Sequence, residues 1–253
     1  MDLSLAFYVT AIGAVLMTGI SKSGFGGGLG VMAVPLMSLF TPPQVAAAVM
    51  MPILVAMDIL IVFRFRQIWS RSVVIGLMPG ALLGLALGVW LFEALDADLI
   101  RFAIGVLALL FVALYILQVR GVYAATKTTP FLVFLLSATS GFASYVAHAG
   151  GPPVKGYLLS KNMEKSAFVG TNTVYFFLLN SIKAVAYGSM GTMNWDSFSV
   201  SLVLSPWLLA GVFVGGWLHS RVDQSLFVSI VYCFLALTSL RLLSTSIPAL
   251  FFT

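Results

Sequence analysis

Charge is what this sequence has least of. Only 8% of its 253 residues are charged, against 60% hydrophobic, where a soluble domain carries about 25% charged and about 45–50% apolar residues. That shortage excludes an ordinary water-soluble globule, and the mean hydropathy of +1.07 points the same way. No polar segment is long enough to form a separate soluble domain, so the chain reads as one membrane domain. Cysteine is nearly absent. Cys233 stands alone in an apolar run, which excludes an intramolecular disulfide and argues against a cysteine-based metal site. The sequence also lacks a zinc motif, a P-loop and a nucleophile elbow. No cofactor is therefore expected, and ATP-driven work would need a partner protein. The start, Met1-Asp2-Leu3, lacks the basic stretch and small-residue cleavage site of a signal peptide, so the first apolar run is expected to be a retained helix.

What charge there is has a pattern. The formal balance is +5, with most basic residues in short links between apolar runs. That is the footprint of membrane orientation and not of a nucleic-acid face. A spanning helix needs roughly 20 mostly apolar residues. The first half offers Leu3–Ile20, Val45–Phe63, Ser72–Phe92 and Leu99–Val119; the second offers Phe131–Gly150, Ser166–Tyr187, Phe198–His219 and Leu226–Leu243. Each half also contains a break: polar, glycine-dense Ser21–Gly28 leading to the short element Leu29–Phe40, and the short broken element Pro152–Ser160.

The halves repeat. Pro79-x4-Gly84-x3-Gly88-x-Trp90-Leu91 matches Pro206-x4-Gly211-x3-Gly215-x-Trp217-Leu218 without a gap, and in the same register Asp96 meets Asp223. Upstream, Gly24-Phe25 answers Gly141-Phe142, each followed by a proline, Pro35 and Pro153. Five segments per copy is an odd number, so the second copy should be inverted. Arg64, Arg66 and Arg71 follow the third segment, whereas the equivalent link 188–197 has no Lys or Arg; Lys161 and Lys165 fall where an inverted copy returns them to the side of Arg120 and Lys127. The positive-inside rule then assigns one cytoplasmic face and puts both termini outside. The expected fold is all-α: a polytopic helical membrane protein of two inverted repeats, 1–120 and 121–253, each of four long helices plus one short broken segment. Paired broken segments in inverted repeats are the signature of a secondary transporter, with the substrate at the breaks.

The first break carries Lys22, Ser23, Gly24, Gly26, Gly27 and Gly28. Its glycines free backbone N–H groups to face a ligand, the hydroxyl adds a donor, and the lysine adds a charge, a set suited to an oxyanion. Close helix packing is the competing explanation of the glycines. The second break has His148, Gly150 and Gly151 before Pro152. The histidine suits hydrogen bonding to an anion or a proton relay, or plain helix packing. Lys155 follows, suited equally to a pathway wall or to reaching for the interface. The eighth segment holds Thr171, Asn172, Asn180 and Lys183 in an apolar stretch. An Asn–Asn–Lys stripe must face protein or water, as anion donors or as polar glue. Asp58, in the matching part of the third segment, is the one acid inside an apolar span. By symmetry it pairs with Lys183; the other readings are that it carries a coupling proton, or sits near the cytoplasmic end and does neither.

These breaks, the string Ala147-His148-Ala149-Gly150-Gly151-Pro152-Pro153 and the stretch Phe168-Val169-Gly170-Thr171 resemble the sulfite exporter TauE/SafE family over nearly the whole chain. The resemblance implies a bacterial inner-membrane transporter of sulfite, thiosulfate or an organosulfonate, moving its substrate passively or coupled to an ion. The second break departs from the first, with Tyr145 and His148 where the first has mostly glycine, so the two half-sites are chemically unequal. The expectation is a non-enzymatic secondary transporter of a small sulfur anion, an exporter by its family, working by alternating access in the lipid bilayer. Lys22 and Lys183 would neutralise the anion, with Asn172 and Asn180 donating to it and His148 or Asp58 coupling a proton. A homo-oligomer is left open. A passive anion channel, a non-transporting membrane subunit and an intramembrane enzyme built on Ser144 and His148 are the alternatives.

Overall fold

Hydrocarbon offers backbone N–H and C=O groups no hydrogen-bond partner, so a chain this apolar must satisfy them within helices or a closed barrel. The computed structural model describes residues 3–24, 30–65, 67–120, 129–218 and 221–251, and among them there is no strand. The order is α1 (Leu5–Gly24), a 3-10 turn (Gly30–Met32), α2 (Ala33–Met37), α3 (Pro43–Phe65), α4 (Arg71–Ala94), α5 (Ala97–Val119), α6 (Pro130–Ala147), α7 (Gly151–Ser160), α8 (Lys165–Ser189), α9 (Trp195–Leu218) and α10 (Gln224–Phe251). Local chemistry sets the ends. Asp96 caps α5 by accepting from the Leu99 amide at 2.8 Å, and Thr129 caps α6 with Pro130 at its first position.

Three boundaries depart from the expectation. Helix α1 continues through Ser21, Lys22 and Ser23 to Gly24, because the Ser23 hydroxyl donates back to Gly19 O at 2.8 Å and across to Val212 O of α9 at 3.1 Å. Helix α6 stops at Ala147, where His148 turns left-handed with φ 50° and the Ala149 amide reaches back to Ala143 O. Helix α10 runs past Leu243 to Phe251 despite Pro248. Among the described residues seven helices are long and apolar enough to cross a membrane, and α8 is not one of them although it has 25 residues. The polar stripe from Thr171 to Lys183 lowers its hydropathy.

The duplicated Pro/Gly motif explains the packing. On α4, a Cβ at Gly84 would collide with the backbone of Ala138 and Phe142 on α6, and one at Gly88 would lie 2.8 Å from Tyr145 Cβ. On α9, a Cβ at Gly211 would lie 2.7 Å from Leu16 O of α1, and one at Gly215 the same distance from Ile20 O. Each copy thus uses its glycines to seat its fourth segment against the first helix of the other copy, as small residues do where dispersion contacts drive association in lipid. Both seated pairs run parallel, since contacts rise together along the two chains.

Pairs of equivalent helices run the other way. Along α3 and α8, Asn180 meets Asp58 while Thr171 accepts from the amide of Ser70, just beyond α3. Along α5 and α10, Gly105 faces Leu243 while Tyr115 meets Ser229 and stacks on Tyr232. Equivalent helices are therefore antiparallel, the relation an inverted repeat demands. Pairs α1·α9 and α4·α6 flank the central pair α3·α8. Large apolar side chains such as Phe213, Val185 and Leu237 are exposed on the outside, as lipid contact requires.

Candidate functional site

Four helices, the first and third of each copy, meet at a polar cluster. Helix α1 brings Lys22, α3 brings Asp58 and a backbone carbonyl, α6 brings Ser144 and His148, and α8 brings Asn180 and Lys183. Asp58 sits late in α3 and is 1% exposed. Its two oxygens have different partners: Lys22 Nζ donates to Oδ1 and Asn180 Nδ2 donates to Oδ2, both at 2.5 Å. The pairing of Asp58 with Lys183 expected from symmetry is corrected here. Asn180 stands between them, because the antiparallel α8 presents Lys183 one turn farther along.

Lys183 is fully buried, and every hydrogen of its ammonium has a protein acceptor. It donates to Ser144 O at 2.7 Å and to Asn180 Oδ1 at 2.9 Å, lies 2.7 Å from His148 Nδ1, and has Ser144 Oγ at 3.0 Å. A carbonyl can only accept. His148 Nε2, 2.9 Å from Ala47 O, must therefore carry a hydrogen, which leaves Nδ1 as the acceptor for Lys183. Three obligate acceptors match three ammonium hydrogens. The left-handed turn at His148 aims its ring here. A non-glycine residue with positive φ is uncommon, and such strain gathers at working sites.

This geometry bears on the alternative chemistry. Ser144 Oγ lies 3.0 Å from Lys183 Nζ, while the His148 ring nitrogens are engaged by Lys183 and Ala47 O, so the serine turns to the lysine and not to the histidine. Nor is the string of bonds a proton wire, because the Asn180 amide in its middle neither gives nor takes a proton. Among the described residues no group of three or more His, Cys, Asp and Glu could hold a metal.

The remaining candidates lie apart from the cluster. Ser23 faces α9. Thr171 accepts from the Ser70 amide at the start of α4, at 2.9 Å. Asn172 lies two turns from Asn180, about 12 Å along α8; it is 4% exposed, and its Oδ1 has no hydrogen-bond partner among the described residues. Gly24 ends α1, and Gly26, Gly27 and Gly28 lie outside the described residues. Gly150 presses on α6, where a Cβ would lie 2.6 Å from Ser140 O, so close approach accounts for the glycine. Gly151 begins α7, but Pro152 and Pro153 lack N–H groups, which leaves that helix start few donors. Lys155 is half-buried on α7, with no polar partner among the described residues.

Sequence reasoning missed several members. Ala47 offers only its backbone, which no pattern reveals. Tyr175 donates to Ser140 Oγ at 3.1 Å, and Ser140 donates to Gly150 O at 2.7 Å, tying α8 to the α6–α7 turn. Tyr187 donates to Tyr145 O at 2.7 Å beside the histidine. The signal for Tyr187 was its place one turn beyond Lys183.

Comparison with known proteins adds one positive finding: the family model described as Sulfite exporter TauE/SafE matches residues 11–242. Neither the curated proteins nor the solved structures contain a match.

Proposed function

Since the chain belongs to the Sulfite exporter TauE/SafE family, and so is a multi-pass membrane protein of a transporter family, we propose that it exports a small sulfur-containing anion. Sulfite, thiosulfate and organosulfonates are the candidates. Transport proceeds by alternating access between repeats 1–120 and 121–253, with the anion drawn to the cluster of Lys22, Asp58, Asn180, Lys183 and His148.

One observation carries this reading: two lysines and a single carboxylate are bonded together inside an apolar bundle. Each charge there is expensive, and a structural role alone would be served more cheaply by apolar packing. The cluster's place supports the carrier mechanism, since it lies where both copies of an inverted repeat meet. Lys22 is the member able to reach a substrate. Its side chain is 14% exposed and bonded only to Asp58 among the described residues, so two of its hydrogens can serve an anion. Asn180 and Lys183 hold Asp58 and His148 in place. In the bacterial inner membrane the basic links containing Arg71 and Lys161 face the cytoplasm by the positive-inside rule, and both termini lie outside.

The test is sulfite flux in proteoliposomes. Wild type is expected to give saturable flux, with Lys22→Gln and Asn180→Ala near the protein-free background. Wild-type rates in both variants, at native melting temperature, would remove the cluster from the pathway.

A further inference from the structure

The cluster's charge can be counted without locating every proton. Lys22 and Asp58 form an ion pair and cancel. His148 Nε2 gives its hydrogen to Ala47 O, and Lys183 Nζ gives two to Ser144 O and Asn180 Oδ1. The 2.7 Å contact between Nζ and Nδ1 then needs one further hydrogen in place of two facing lone pairs, and the pair carries one positive charge whichever nitrogen holds it. Asn180, Ser144, Tyr145 and Tyr187, which pack around these groups, are neutral. Lys155 is bonded to none of them, and no second carboxylate is bonded to the cluster among the described residues. The centre therefore carries one surplus positive charge.

We propose that this surplus sets the substrate's charge: the site takes a sulfur oxyanion bearing a single negative charge and discriminates against dianions of the same shape. The proposal rests on the reading of this cluster as the anion site. A monoanion beside Lys22 brings the cluster to neutrality. A dianion leaves one negative charge unmatched among apolar helices, where the low dielectric makes the imbalance severe. Lys183 cannot relieve it by contact, because its hydrogens are already taken by Ser144 O, Asn180 Oδ1 and His148 Nδ1. Asp58 enforces the limit from the other side. Held by Asn180 at Oδ2, it stays next to any anion that Lys22 binds and repels a second negative charge. Hydrogen sulfite and monosulfonates fit this count; the sulfite dianion, sulfate and thiosulfate do not.

Methanesulfonate and sulfate make a matched probe pair, both tetrahedral at sulfur and similar in size but differing by one charge. Calorimetric titration of the full-length, detergent-purified protein is expected to show methanesulfonate binding at least about tenfold more tightly than sulfate. Asp58→Asn raises the surplus to two and should narrow or reverse that ratio; Lys22→Gln lowers it to zero and should abolish binding of both. Equal affinities in wild type, or a preference for sulfate, would overturn the charge rule and leave the anion site standing. No binding of either anion by protein of native melting temperature would overturn the site as well. If Asp58→Asn fails to fold, the wild-type ratio decides alone.

Discussion

Helix pairs α1·α9 and α4·α6 are copies in sequence and in the way their glycines seat them, yet they are tied to the central pair α3·α8 by different means. From α4·α6, Ser144 and His148 both engage Lys183, Tyr187 donates to Tyr145 O, and the Tyr145 and Tyr187 rings stack at 4.9 Å with Phe92 edge-on. From α1·α9 come the Lys22–Asp58 ion pair and a neutral bond, Ser201 Oγ to Val49 O at 2.7 Å. The frame is present twice, but the side chains that tie each flank to the centre differ: a buried network around Lys183 on one side, and on the other an ion pair whose lysine is 14% exposed.

The largest way to break this comparison is to exchange the lysines. Lys183→Met leaves three buried acceptors without a donor, each worth about 1–3 kcal/mol, so a collapse of the melting temperature in detergent is expected. Lys22→Gln should cost about 1–2 kcal/mol, because Asn180 still holds the carboxylate, and its main effect is lost anion binding. Equal destabilisation by the two would erase the distinction between the flanks.

Gly84→Val and Gly211→Val test the shared frame. Each forces a side chain into facing backbone, and each is expected to destabilise by about 3 kcal/mol, read as matched falls in melting temperature. A mild effect at one position alone would mean the two seats are not equivalent. Smaller still, Tyr187→Phe removes one buried hydrogen bond and should cost about 1 kcal/mol in the same melt, since it unties only one of the bonds from α4·α6 to the centre. Smallest of all are Gly76→Ala and Gly216→Ala. Nothing lies within 4 Å of a Cβ at either position, so shifts within about 0.5 kcal/mol are expected.

The helices were legible because long apolar runs and the Pro/Gly motif are local signals, and lipid leaves the backbone no other choice. The inversion was legible from where arginines and lysines fall. Ser21-Lys22-Ser23 misled as a break because serine and lysine read as polar punctuation, whereas Ser23 satisfies its hydroxyl on the helix itself and on α9. The cluster was half legible. Asp58, His148, Asn180 and Lys183 stand out as polar residues in apolar runs, but who bonds whom depends on the antiparallel register of α3 and α8. One turn of offset puts Asn180, not Lys183, on the carboxylate. Thr171 and Asn172 share the eighth segment with Asn180, yet they lie at its other end, near the start of α4. The Ala47 carbonyl was illegible because every residue has one.

The central claim is a carrier with one anion site reached alternately from the two sides. Counterflow tests it most directly: proteoliposomes loaded with labelled sulfite are diluted into buffer with or without unlabelled sulfite outside. External sulfite is expected to accelerate efflux of the label from wild type and to leave efflux through Lys22→Gln unchanged. Efflux that is indifferent to external sulfite and rises linearly with concentration would contradict it and describe a channel.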